Sequence, residues 1–227
     1  MKSAVISSST LEFLRELKEN NNRPWFNAHK EWYQGELAKM KIYSDALLDR
    51  MSHYDNIEQL HLFRIYRDVR FSKNKSLYKV CFGGGMKRAT KWLRGGYYFH
   101  IEPEKSFVGG GFWSPNPPDL KRIREEIAAD DQPLRTILAR PTFKKTFGSL
   151  QGEEVKTAPR GFSKTHAAID LIRKKQFLLA RSFSDAEVLS PNLLDEMVQT
   201  FRNMLPFFEY MSEVLTTDAN GMPLEHE

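Results

Sequence analysis

The stretch "GGYYFHIEPEKSFVGGGFW", residues 95–113, decides the fold. Tyr97, Phe99 and Ile101 fall on one face and His100 and Glu102 on the other, the period of a strand with one buried face. Pro103 then turns the chain, and Phe107 to Trp113 returns as a second β run. The stretch predicts a hairpin with strands at 97–101 and 107–113, and an antiparallel or mixed sheet around it.

Working outward toward the N-terminus, Phe63, Ile65, Val69 and Phe71 alternate as in a strand, and Tyr78 to Phe82 is a short β run ending in Gly83, Gly84 and Gly85. Ser9 followed by Glu12 reads as a capping box for a helix near 10–20, with Leu11, Leu14 and Leu17 on one side. Pro24 suits the first turn of a second helix. Its apolar stripe, Trp25, His29, Tyr33, Leu37, Met40, Tyr43 and Leu47, predicts continuation to about Met51.

Toward the C-terminus, Asn116, Pro117, Pro118 and Asp119 start a helix whose Leu120, Ile123 and Ile127 share a face. Helical turns are predicted at 134–138 and 142–147, a short helix at 166–174 and a strand at Phe177–Phe183. Ser190 and Pro191 open a helix with Leu194, Met197, Phe201, Leu205 and Phe208 on one side. The expected fold is α+β: one domain over residues 1–216, a central antiparallel or mixed sheet packed by N-terminal and C-terminal helices, and a flexible tail at 217–227.

A chain of 227 residues, 41% hydrophobic and 12% aromatic, is long enough for a large core. It contains no run of roughly eighteen apolar residues, and "MKSAVISSS" has too short an apolar stretch for a secretory signal. A cytoplasmic protein with no membrane partner is expected. The only cysteine, Cys81, excludes an internal disulfide and a multi-cysteine metal site; beside Val80 and Phe82 it reads as a small buried hydrophobe. The six histidines show no H-x-H or H-E-x-x-H spacing, so no metal site is expected from local pattern.

Charge is concentrated in one place. Residues 61–96 carry ten basic side chains against Asp68 alone, a segment of +9 in a chain of +5, which leaves the remainder at −4. The densest part, "RIYRDVRFSKNKSLYK" at 64–79, spaces Arg64, Arg67 and Arg70 by three. It resembles the signature of a mainly bacterial group, domain-of-unknown-function family 2461: R-x-x-R-D-x-R-F, a short gap, then K-x-x-Y. Here the pattern falls on Arg64, Arg67, Asp68, Arg70, Phe71, Lys75 and Tyr78. "NNRPWF" (21–26), "GGYYFHIEP" (95–103), "GGGFW" (109–113) and "APRGFSKTHAAIDLIRKKQF" (158–177) are similar to the family as well. The loop "CFGGGMKRATKWLRGG" (81–96) is more lysine-rich than the family pattern. The resemblance implies one domain over nearly the whole chain and implies no particular reaction or cofactor.

Elementary geometry constrains the motif. On one straight strand, Arg64 and Arg70 would lie about 20 Å apart with Arg67 facing the apolar side, where an unpaired charge costs several kcal/mol. A bend near Arg67 and Asp68 would bring the guanidiniums together, and at about 6 Å two of them repel by roughly 3 kcal/mol at an effective dielectric near 20. Asp68 offsets one such repulsion, and a bound anion would offset the rest. Arg64, Arg67, Arg70, Lys75 and Tyr78 are therefore the candidate ligand-binding residues, for a phosphate-bearing ligand or, in extended form, nucleic acid. Gly83 to Gly85 would let backbone N–H groups approach, or serve only the geometry of the strand.

Two other uses remain open. The protein is an enzyme acting on a phosphate or carboxylate substrate, with Asp68, or His100 with Glu102 on one strand face, moving protons; or the motif is a structural ion-pair network in a partner-binding protein. His100 and Glu102 equally suit a plain polar strand face.

Overall fold

The computed structural model describes residues 4–68, 70, 75–218 and 221–224. Its elements run α1 (Ser8–Glu19), α2 (Arg23–Ala28), α3 (Lys30–Ser52), β1 (Ile57–Leu62), β2 (Phe82–Arg88), β3 (Gly96–Ile101) and β4 (Ser106–Phe112), followed by α4 (Pro117–Ala129), α5 (Gln132–Ala139), α6 (Pro141–Phe147) and α7 (Ile169–Ile172), then β5 (Phe177–Phe183), α8 (Asp185–Val188), α9 (Leu193–Arg202) and α10 (Leu205–Thr216). The strands form one antiparallel sheet in the order β1-β2-β3-β4-β5, so each pairs with its neighbours in sequence. With helices flanking it, the fold is α+β. The predicted hairpin is β3–β4. Along β3 the pattern is the expected one, with Tyr97, Phe99 and Ile101 buried and Tyr98 and His100 on the opposite, half-buried face.

Contacts gather the chain into two compact units. The first comprises Met1–Lys87, Tyr98–Val108 and Ser182–Gln199. In it α1 buries Leu11, Phe13, Leu14 and Leu17 at helical spacing, and α3 buries Tyr33, Met40, Tyr43, Leu47 and Met51. Each such side chain contributes about 1.5–3 kcal/mol by leaving water. Two expectations need correction. Ser7, not Ser9, is the N-cap of α1, and the Ser9 hydroxyl donates instead to Glu36 Oε1 at 2.7 Å, so no capping box forms at Ser9–Glu12. The helix opened by Pro24 breaks at His29, whose backbone leaves the helical region (φ −109°, ψ 21°), separating α2 from α3.

The segment after β1 also departs from expectation. The strand is 57–62, and residues 63–67 run on as an irregular ladder: Phe63 N–H donates to Gly83 O, Lys79 N–H to Ile65 O and Arg67 N–H to Leu77 O, with one isolated bridge, Tyr66 to Tyr78. Ile65 is buried while Phe63 and Tyr66 are exposed, so the chain bends and the straight alternation is not kept. Val69 and Phe71 lie outside the described residues.

The second unit comprises Arg88–Tyr97, Gly109–Arg181 and Thr200–Glu227. Here α4, α5 and α6 appear as the sequence predicts, α7 is shorter, and β5 begins and ends as expected. Tyr97 packs edge-on against Phe201 and Phe208. The helix predicted from Ser190 is split into α9 and α10, because Pro206 lacks an N–H for the Arg202 carbonyl and is tolerated only in a first turn. Its stripe is still buried on both sides of the break, at Phe201 and Phe208. Beyond α10, Thr217 bridges to Pro223 and Leu224 N–H donates to Thr216 O, so the described part of residues 217–224 folds back on the helix end. Among the described residues no helix is long and apolar enough to cross a membrane.

Candidate functional site

The polar face of β3 lies in the first unit and organises the site. Successive outward residues of a strand stand on one side, and here Tyr98, His100 and Glu102 are joined in a line. Tyr98 Oη lies 2.9 Å from His100 Nδ1, and His100 Nε2 lies 2.9 Å from Glu102 Oε2. A neutral imidazole has one N–H, so the arrangement that satisfies both contacts is Nε2–H donating to the carboxylate and Tyr98 O–H donating to Nδ1. The Phe107 ring stacks on His100 at 5.0 Å and 22°. The turn is pinned by Ser106, whose hydroxyl donates to the Glu102 carbonyl and accepts from the Glu102 N–H.

Cys81, just before β2, joins this line: its sulfur, a His100 ring nitrogen and a Glu102 oxygen all lie within 4.8 Å of one another. Burial pushes the Cys81 thiol up to about 11, with Glu102 adding to the rise and Lys79 and Arg67 opposing it. The Tyr98 phenol is pushed up to about 12, by burial first and then by Cys81 and Glu102. Both groups hold their protons at neutral pH. Gly83 makes room for the line, since a Cβ there would lie 2.9 Å from Tyr98 Oη and 3.2 Å from Phe99 O.

Beside it is an open cleft of about 420 Å³. Lys41 and Tyr33 of α3, His61 of β1, and Phe63, Arg64 and Lys79 line it, and among the described residues no carboxylate does. Lys79 Nζ sits 5.4 Å from the centre of the Phe63 ring, which also meets His61 edge-on at 5.2 Å and Tyr98 at 6.2 Å. Phe63 and Lys79 thus adjoin both the cleft and the β3 line. Among the described residues Lys41, Arg64 and Lys79 form no ion pair.

The motif residues are divided among several tasks. Arg64 lines the cleft, while Arg67 is half-buried and its charge acts on Cys81. Arg70 is paired with Asp68 through Nε at 3.0 Å and Nη2 at 2.7 Å, and that bonding holds the Asp68 carboxyl below its usual range. Lys75 is exposed. Tyr78 is a packing residue, 4% exposed and stacked on Phe26 at 4.0 Å, with its backbone held by the Asn21 amide. The rest of the basic segment is divided as well: Lys87 pairs with Glu58, Arg94 with Asp119, and buried Arg88 donates to the Arg94 carbonyl.

The chain matches, over residues 9–210, the family described as "Conserved hypothetical protein (DUF2461)". It belongs to that family. No curated protein and no solved structure matches it. The DUF2461 match runs from Ser9 in α1 to Tyr210 in α10 and so encloses both the cleft and the β3 line. The resemblance read from the 64–78 motif is thereby borne out.

Within this DUF2461 member, sequence reasoning missed Lys41, His61 and Lys79 as cleft residues and Cys81 as a neighbour of His100. Lys79 was visible as part of the basic segment, outside the motif. Lys41 gave no signal, because its place depends on how α3 lies on β1.

Proposed function

We propose that the protein binds a small anionic ligand, phosphate- or carboxylate-bearing, in the cleft lined by Lys41, Arg64 and Lys79. The observation that carries the reading is a concave site with three cations and no carboxylate among its described lining residues. Its volume falls within the roughly 300–1,000 Å³ of small-molecule sites. An anion there makes charge-assisted bonds of about 1.5–3 kcal/mol each, and a guanidinium matches two oxygens at once. The site differs from the one expected from the motif alone, since Arg64 takes part with Lys41 and Lys79 rather than with Arg70.

Calorimetric titration of the full chain with inorganic phosphate and with a nucleoside monophosphate tests the reading. Saturable binding is expected, weakened about tenfold or more by Arg64→Ala and by Lys79→Ala. Absence of binding, or affinities unchanged in both variants, overturns it. A single-stranded nucleic acid would add a salt slope of about 0.7 log units per phosphate neutralised, whereas a small ligand gives a shallow one.

A second reading, an enzyme acting on such a ligand, is favoured by the Tyr98–His100–Glu102 line beside the cleft. His100, oriented from both sides, is better placed to move a proton than Asp68, which Arg70 already holds. His100→Asn would then remove turnover and leave binding of the anion intact.

A further inference from the structure

We propose that Cys81, His100 and Glu102 form a binding site for one transition-metal ion of the zinc class, with a coordination position left open. The three donors are of three kinds, a thiol sulfur, an imidazole nitrogen and a carboxylate oxygen, and they already lie within 4.8 Å of one another. Donors around a tetrahedral zinc stand roughly 3.4–3.8 Å apart, given bonds of about 2.0–2.3 Å. Side-chain movements of about an ångström close the set. This mixture of borderline and soft ligands suits zinc and disfavours magnesium or calcium, which take oxygen donors.

The fold assembles the set without any local motif. His100 and Glu102 come from one face at the end of β3, and Cys81 from the entry to the adjacent β2. Tyr98 supplies a second and independent feature, an outer hydrogen bond on the ring nitrogen away from Glu102, which is what orients a metal-bound histidine. His100 and Glu102 are each about 15% exposed, so an ion can enter and a fourth ligand can exchange.

The proton balance is simple. The ion takes the place of the Nε2–H between His100 and Glu102; the imidazole proton shifts to Nδ1 and is donated to Tyr98 Oη, whose own hydrogen turns away. Cys81 gives up its thiol proton to solvent as it ligates. One proton leaves per ion bound, and with thiolate and carboxylate against a divalent cation the site is neutral. Burial and Glu102 hold the proton on Cys81 in the free protein, Lys79 and Arg67 offset part of that hold, and the ion's own charge supplies the rest.

The experiment uses untagged full-length protein stripped with a chelator and dialysed, with the metal salts alone as probes and no phosphate present, so its outcome is independent of the anion reading. Zinc titration is expected to give one equivalent per chain, and cobalt substitution a sulfur-to-cobalt charge-transfer band in the near ultraviolet. Cys81→Ser should abolish that band, and the near-isosteric Glu102→Gln should weaken zinc binding at least tenfold with the far-ultraviolet circular dichroism unchanged. Failure of the wild-type chain to retain zinc after dialysis, or zinc affinity unaltered in both variants, overturns the site.

Discussion

Arg70 grips the Asp68 carboxylate with two side-chain bonds and a backbone N–H at 3.2 Å, while Arg64 of the same motif faces an open cleft. The two arginines therefore predict opposite outcomes. Arg70→Ala should leave phosphate affinity and the melting temperature unchanged, because the pair is solvent-exposed and such pairs contribute little. Arg64→Ala should lower phosphate affinity about tenfold or more, again without loss of stability. Calorimetry of both variants beside wild type separates them, and equal losses in the two would refute the division.

Charge reversal in the cleft is a stronger probe. Lys41→Glu would place a carboxylate among Arg64, Lys79 and His61, giving the cations an internal partner and repelling the ligand. Phosphate binding should become undetectable, and the exposed helix position should keep the melting temperature within a few degrees of wild type.

Glu36 predicts a pH dependence. It is 2% exposed, and although burial opposes its charge, bonds from Lys39, Ser9 and Thr10 outweigh that opposition and hold its carboxyl below the usual range. A depressed folded value adds stability above the unfolded value near 4.3, and that stability is lost as pH falls through the folded value. Glu36→Gln should cost about 1–3 kcal/mol at pH 7, and the gap from wild type should shrink below about pH 4. Urea unfolding across pH 3 to 7 measures it, and a gap constant with pH would refute the assignment.

Gly111 offers a purely steric prediction within the second unit. Its φ of +126° disfavours any side chain, and a Cβ would lie 2.1 Å from Phe177 O on the adjacent strand. Gly111→Ala must part β4 from β5 or bend them, a loss of about 3 kcal/mol or more. The urea midpoint should fall accordingly, and a variant as stable as wild type would contradict the strand register.

What the sequence made legible follows the same physics. The hairpin was readable because the two-residue period places Tyr97, Phe99 and Ile101 on one side and His100 and Glu102 on the other, and that period alone put the last two together. β1 was not readable: none of its residues is fully buried, so "IEQLHL" carries no clear apolar alternation. Helix lengths were overestimated where a stripe persists through a break, at His29 and before Pro206, since periodicity reports which face is buried and not whether the backbone stays helical. The arginine triplet was grouped because its members are close in the chain, whereas the cleft draws on α3, β1 and Lys79. Cys81 looked inert because its apolar neighbours in sequence are not its neighbours across the sheet.

Tyr98 gives the last prediction, which separates a positioning residue from a ligand. Its hydroxyl touches His100 Nδ1 at 2.9 Å and makes no part of the donor set. In Tyr98→Phe a zinc-bound His100 would keep an Nδ1–H with no acceptor on that side, in a half-buried place beside Phe107. Outer partners of this kind are worth roughly 10–100-fold in metal affinity. The variant should bind one zinc per chain with affinity reduced by that factor and retain the cobalt–thiolate band, since Cys81 still ligates. Loss of the band would make Tyr98 part of the inner set, and an unchanged affinity would remove it from the site altogether.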